Sequence, residues 1–285
     1  MSTAFVLSGG GSLGAVQVGM LLALAEQGIE PELLVGTSVG AINAAWIAGL
    51  PGLEGAQRLA EVWKSVRREE IFPPRPIVGL FGFLGFHNYL VSSAALRSLL
   101  GKYLTYENLE DARVPIKVVA TEITTGLEVV LSSGNAVDAV SASTAIPGVF
   151  PPVIIGDHHL IDGGVTDNTP IAHAVKSGAT TIYVLSTGYT CSATEPPRSA
   201  LGVALRAITF MVQQRLVADI DRYQESVDLR VIPPPCPLRV SPADFSHSTA
   251  LINESHELTL NWLMDPASGA GQSSSLAIHS HRVLA

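Results

Sequence analysis

Two short β-rich apolar runs, residues 3–8 and 32–37, each break into a glycine-bearing turn and then a helical pattern. A chain that repeats strand, turn and helix in this way is constrained to an α/β domain with a mainly parallel sheet. The first run leads into "GGGSLG" and a predicted helix over residues 13–27. That helix carries Val16, Met20, Leu21 and Leu24 on one face, with Gly28 at its C-terminal end. The second run ends in "GTSVG" and enters an apolar helix over residues 38–48.

The same alternation continues along the chain. Further strands are predicted at 116–123, 127–131, 181–186 and 229–232, and a hairpin pairs 153–155 with 159–161 around Gly156-Asp157. Helical patterns cover 54–68, 135–143 and 249–264. A long stripe of Leu201, Leu205, Ile208, Val212, Leu216, Ile220 and Tyr223 predicts one long amphipathic helix. The 285 residues, 47% hydrophobic, suffice for one large core. We expect a domain over residues 1–266 and a polar, weakly ordered tail over 267–285.

Charge and cysteine content narrow the function. A net charge of −8 without a basic stripe argues against nucleic-acid binding. Cys191 and Cys236 form no metal spacing and no disulfide framework, which fits a reducing compartment. With no signal-like N-terminus and no convincing apolar span, a cytoplasmic location is expected, peripheral to membrane at most.

The glycines at 9, 11 and 14 spell G-x-G-x-x-G, the dinucleotide-binding fingerprint. That reading needs an acidic residue at the end of the second strand to hold a ribose. Gly36-Thr37-Ser38 stands there instead, and Glu30 and Glu32 fall too early. G-x-S-x-G on a strand-to-helix turn is the context of a nucleophile elbow, in which Gly36 and Gly40 let the backbone fold sharply and Ser38 project. The bland alternative is that Ser38 only caps the helix. Adjacent first and second strands would bring the glycine loop beside Ser38, with Gly10 and Gly11 as oxyanion donors, Gly9 shaping the turn and Ser12 adding a further amide. A nucleophilic serine needs a base. Asp162, at the end of a predicted strand in "LIDGGVTDNTP", is a candidate, although Asp-Gly is also a common turn pair.

Together, "GGGSLG", "GTSVG", "ASTAIPGVFPPV", "DGGVTDNTP" and "PADFSHS" resemble the patatin-like phospholipase family in order and context, from about residue 3 to 266. The resemblance implies a three-layer α/β/α fold. It also implies a Ser38–Asp162 dyad, an oxyanion hole around Gly9, Gly10, Gly11 and Ser12, and cleavage of lipid or fatty-acyl esters through an acyl-enzyme, without cofactor or metal. Leu13 stands where many members carry Arg or Lys, which leaves neutral esters and lysolipids open as substrates.

Two rival readings remain at the level of sequence. A Ser-His-Asp triad of the α/β-hydrolase order would use His173, His247 or His256. A non-catalytic lipid- or nucleotide-binding module would use neither Ser38 nor Asp162 chemically. His158 and His159 alternate across a strand and so cannot easily share an ion. Residues 76–96 carry no formal charge, with Gly79, Gly82 and Gly85 spaced among bulky apolar side chains. They are read either as a lid that meets a membrane surface transiently or as a buried connection.

Overall fold

The structure is a computed structural model that describes residues 2–72, 89–188, 199–238 and 240–265. The tail at 267–285 and residues 76–88 of the uncharged stretch lie outside the described residues.

Eight strands form one sheet: β1 (Thr3–Leu7), β2 (Leu33–Thr37), β3 (Ile116–Glu122), β4 (Glu128–Leu131), β5 (Val153–Ile155), β6 (His158–Asp162), β7 (Thr181–Leu185) and β8 (Asp228–Ile232). The pairings β3–β2, β2–β1, β1–β7 and β7–β8 are all parallel. Alternation along the strands sends Phe5, Leu7 and Leu34 into one layer and Ala4, Val6 and Val35 into the other. The first layer holds α1 (Gly14–Glu26), α2 (Val39–Gly49), α3 (Gly52–Ser65), the short α4 (Arg68–Ile71), α5 (Ala94–Tyr103), α6 (Ala136–Ser143) and α9 (Ser248–Met264). The second holds α7 (Ile171–Lys176) and the C-terminal half of α8 (Ala200–Tyr223). The arrangement is the expected α/β/α sandwich.

Two small residues let α1 and α9 pack closely. A Cβ at Gly19 of α1 would lie 2.0 Å from the Ser255 hydroxyl and 2.3 Å from the Ile252 carbonyl of α9. The Ser255 hydroxyl donates to the Val16 carbonyl at 2.8 Å, tying the two helices together.

The long stripe on α8 is only half buried. Leu216 and Ile220 pack on the sheet, whereas Val212 is half-buried and Ile208 is exposed. The reason is length: 24 residues of helix extend about 36 Å, roughly twice the span of a five-residue strand. The stripe records amphipathic spacing, but the sheet is too narrow to cover all of it.

At β3 the sheet changes character, and this places the candidate site. Backbone groups of alternate residues in a strand face opposite neighbours. Glu122 exchanges bonds with the β4 side, its N–H donating to the Leu127 carbonyl. Ile123 N–H donates to the His159 carbonyl beside β6, and the Pro115 carbonyl accepts from Leu34 of β2. Residues 115 and 123 share one parity, so β2 and β6 lie along the same flank of β3. β2 pairs with Ile116–Val119 in parallel, and β6 pairs with Ala120–Glu122 antiparallel. The two strands approach from opposite directions, and their C-terminal ends meet.

Candidate active site

Those two C-terminal ends carry Ser38 and Asp162. Thr37 is the partner of Val119 in β2–β3, and Asp162 is the partner of Ala120 in β6–β3. The strand that ends in Asp162 arrives antiparallel and meets the turn after β2 head-on. Gly163 makes the closure possible, since a Cβ there would lie 2.2 Å from the Val119 carbonyl and 3.1 Å from Thr37 Cγ2.

Ser38 is the one described non-glycine residue with positive φ (54°, with ψ −126°). This is costly backbone for an L-residue and lifts the side chain out of the strand-to-helix turn. Gly40 is required by the same turn: its Cβ would lie 2.2 Å from the Leu7 carbonyl. Gly36 would meet the Gly40 carbonyl at 2.6 Å. Ser38 Oγ donates to Asp162 Oδ2 at 2.6 Å, and Gly164 N–H donates to Asp162 Oδ1 at 2.8 Å. Both Ser38 and Asp162 are buried. Burial pushes the Asp162 carboxyl up to about 6, against the opposing effect of the Ser38 and Gly164 hydrogen bonds.

Sequence reasoning missed Ser143. The meeting of β2 and β6 over Val119 leaves its carbonyl to be satisfied from elsewhere, and the Ser143 hydroxyl donates to it at 2.6 Å. The same hydroxyl accepts the Ser38 N–H at 2.8 Å. Ser143 thus fixes the backbone at Ser38. Its only signal in the sequence is its place in "ASTAIPG", where nothing distinguishes a structural hydroxyl from a surface one.

The glycine loop lies alongside: a Cβ at Gly9 would be 3.2 Å from Ser38 Cβ. Of the four amides expected at an oxyanion hole, two are engaged elsewhere. Gly9 N–H donates to the Asn168 carbonyl at 3.0 Å and Ser12 N–H to the Pro242 carbonyl at 2.8 Å. Among the described residues, the amides of Gly10 and Gly11 donate to no protein acceptor. Gly11 has φ +61°, and a Cβ there would lie 2.4 Å from the Pro242 carbonyl; at Gly10 it would lie 2.2 Å from the Thr187 hydroxyl. Side-chain substitution is thus blocked at both free amides. A buried polar chain holds the loop from below. Trp63 Nε1 donates to Asn43 Oδ1, Asn43 Nδ2 to Gln17 Oε1, and Gln17 Nε2 to the carbonyls of Ser8 and Leu185, all at 2.8–3.0 Å.

Ser38 and Gly11 sit at one end of an apolar cleft of about 840 Å³, its open mouth included. Its walls come from Ile42 and Trp46 of α2, Leu59 and Trp63 of α3, Phe72, Leu96 and Leu100 of α5, Phe150 and Phe245. Phe72 stacks on Phe150, with ring centroids 5.4 Å apart. Leu96, at the described end of the uncharged stretch 76–96, belongs to this wall.

The histidines of the rival triad are placed elsewhere. His256 Nε2 faces Glu26 at 2.8 Å, His247 lies near Asp244, and His173 Nε2 is 3.0 Å from Glu128 Oε2. Among the described residues no histidine hydrogen-bonds Ser38 or Asp162. His158 and His159 stand in the predicted β5–β6 hairpin, with His158 Nδ1 3.1 Å from Glu122. A second buried carboxylate, Asp167, lies five residues beyond Asp162. Its carbonyl accepts from the Thr37 hydroxyl at 2.9 Å, but its carboxylate oxygens have no hydrogen-bond partner. Burial pushes this carboxyl up to about 7, Glu128 and Asp219 adding to the effect and Arg215 opposing it.

Comparison with known proteins follows the same lines. VipD from Legionella pneumophila superposes with a TM-score of 0.50 at 14% identity, over 91% of this chain and 66% of that one, a likeness of fold. Patatin-like phospholipase domain-containing protein 7 of Mus musculus is 30% identical over 191 residues, 65% of this chain and 13% of that protein. Lysophospholipase NTE1 of Mycosarcoma maydis is 29% identical over 192 residues, 66% of this chain and 10% of that protein. The chain thus corresponds to a small part of these relatives. The family model described as patatin-like phospholipase matches residues 5–175, a stretch that contains the glycine loop, Ser38 and Asp162. By that match the chain belongs to the patatin-like phospholipase family.

Proposed function

We propose that the chain is a serine lipid acyl hydrolase that works through a Ser38–Asp162 dyad. One observation carries this reading: the 2.6 Å bond from Ser38 Oγ to a buried carboxylate, at the end of an apolar cleft and beside two unengaged backbone amides. The printed names of the relatives, phospholipase and lysophospholipase, support the substrate class. The cleft is lined almost wholly by carbon, which suits a fatty-acyl chain.

In this reading the acyl chain lies along the cleft with its ester carbonyl at Ser38. Ser38 Oγ attacks the carbonyl carbon and passes its proton to Asp162 Oδ2. The amides of Gly10 and Gly11 stabilise the oxyanion. Collapse of the tetrahedral intermediate breaks the ester C–O bond, and the leaving alcohol takes the proton from Asp162. Water then attacks the acyl-enzyme carbonyl, giving a proton to Asp162; the acyl C–Oγ bond breaks, Ser38 Oγ takes the proton back from Asp162, and the fatty acid leaves. Asp162 remains a weak base for a serine hydroxyl even with its carboxyl raised to about 6, so the oxyanion donors must supply much of the stabilisation. Leu96, the last residue of the uncharged stretch, lines the cleft and supports lipid contact on that side of the cleft. No described helix is long and apolar enough to cross a membrane.

The test is labelling with a fluorophosphonate probe together with hydrolysis of lysophospholipid, phospholipid and neutral ester by the wild type and Ser38→Ala. Labelling at Ser38 and its loss in the variant are expected. An unlabelled, inactive wild type would leave the binding-module reading standing.

A further inference from the structure

On the opposite face of the sheet from the cleft, three potential metal ligands converge. Glu128 opens β4, Asp167 follows the turn that carries Asp162, and His173 lies in α7. Their ligand atoms all lie within 4.8 Å of one another. His173 Nε2 is 3.0 Å from Glu128 Oε2 and 3.9 Å from Asp167 Oδ2. Asp167 is fully buried, and neither carboxylate oxygen has a hydrogen-bond partner; the Thr169 amide lies near without reaching bonding geometry. A buried carboxylate without donors is expensive, and folded proteins satisfy such groups almost without exception.

We propose that Glu128, Asp167 and His173 form a binding site for a divalent cation of the Zn²⁺ or Mn²⁺ type. One imidazole nitrogen and two carboxylates, with no thiolate, are the donor set these ions take. Tetrahedral bonds of ~2.0–2.1 Å place donors ~3.3 Å apart, close to the spacing already present around His173 Nε2. Two carboxylates and a neutral imidazole, protonated on Nδ1, balance the charge of the ion, and a fourth position is left for water. Arg215 is the competing cation. It approaches the other oxygen of Glu128, Oε1, at 3.5 Å and is anchored on Asp219 at 2.9 Å, so it leaves Asp167 unsatisfied. Lys117 is turned to the Ser177 hydroxyl at 2.8 Å.

The site braces the catalytic segment. Thr37 donates to the Asp167 carbonyl and Gly9 to the Asn168 carbonyl, so an ion on the Asp167 side chain would fix the segment against both the nucleophile strand and the glycine loop. Its role is structural and is independent of the dyad chemistry.

The test uses the full chain, stripped with chelator, dialysed against Zn²⁺ or Co²⁺ and analysed for bound metal. One equivalent per chain is expected, with a visible Co²⁺ ligand-field spectrum and a metal-dependent rise in melting temperature. Asp167→Asn and His173→Gln should each weaken binding by ~100-fold or more, the upper end of what losing even a supporting group costs. Near-ultraviolet circular dichroism verifies folding; if Asp167→Asn fails to fold, His173→Gln decides. Absence of stoichiometric binding overturns the proposal, as does binding that survives in the folded variants, which would assign it to surface histidines such as His158.

Discussion

Asp162 and Asp167 sit five residues apart on one segment, both buried, and both are raised by that burial, to about 6 and about 7. They differ in their partners. Asp162 receives a serine hydroxyl and a backbone amide, one on each oxygen. Asp167 receives neither, and faces an imidazole and a second carboxylate. Burial alone therefore does not make a base. Two aimed donors favour Asp162 as a carboxylate near neutral pH, the form in which the proposed mechanism has it take the proton of Ser38. The same low-dielectric setting without donors leaves Asp167 in need of a cation or a proton.

The widest separation between the two should appear in turnover. Ser38→Ala and Asp162→Asn are each expected to lower kcat by at least ~10³-fold, with the double variant little worse than either, because members of a catalytic unit are not additive. Asp167→Asn, acting only through a loosened segment, should cost less than about tenfold on the scale of supporting groups. Steady-state assay on one soluble ester compares all four. Equal losses at the two aspartates would erase the distinction. His247→Ala and His256→Ala should behave as wild type, and a large loss in either would revive a histidine base.

Next in size is the glycine loop. Gly11→Ala forces an L-residue to φ +61° and drives a Cβ towards the Pro242 carbonyl, so the loop must shift and its amide leave the oxyanion position. A loss of ~10²-fold in kcat is expected, the scale of one donor. Hydrolysis unchanged by this substitution would remove Gly11 from the hole.

Much of this arrangement was legible in the sequence. Strand runs, "GTSVG" and "DGGVTDNTP" locate β1, β2, Ser38 and Asp162 within a residue or two, because local glycine chemistry and apolar periodicity are short-range signals. What was illegible is long-range. Nothing in residues 158–162 indicates that their strand would share a flank of β3 with β2. Nothing local links Glu128 to Asp167 and His173, separated by 39 and 45 positions. Ser143 is needed only because two strands meet over Val119, which is a tertiary fact. Helix α5 is hidden in the sequence because its start at Ala94 lies inside the uncharged stretch 76–96, with no charge or capping contrast to mark it.

A smaller effect concerns pH. The proposed mechanism requires ionised Asp162, so kcat/KM should fall along an acid limb with its midpoint near the pH at which that carboxyl titrates, about 6. At pH 5 the ionised fraction is roughly a tenth of its plateau value, giving a loss of about tenfold. A pH–rate profile with a midpoint near the ordinary carboxylate value would show that the two donors outweigh burial, and would widen the difference between Asp162 and Asp167.

The smallest effect is on stability, and its sign is diagnostic. The Asp162 carboxyl is raised in the folded chain from 3.8 to about 6, so the folded state binds its proton more tightly than the unfolded state. Stability from this group is then highest below the unfolded value, falls as pH rises through the interval between the two, and is lowest above the folded value. The full cost at pH 8 is at most about 3 kcal/mol. Asp162→Asn removes most of that cost, which already includes the opposing bonds from Ser38 and Gly164. The gain at pH 8 should be about 1–3 kcal/mol, a rise of a few degrees in melting temperature, in a variant expected to have lost its activity. As the pH is lowered from 6 towards 4 the advantage should shrink towards zero, since the wild-type carboxyl becomes neutral and its hydrogen bonds are then no stronger than those of the amide. Ser38→Ala should run the opposite way at pH 8, because it strips the charged carboxylate of a donor while leaving it buried. Thermal melts of the three proteins at pH 4, 6 and 8 decide the matter: a difference between wild type and Asp162→Asn that does not change with pH would mean that Asp162 is not desolvated in the way that makes it a base.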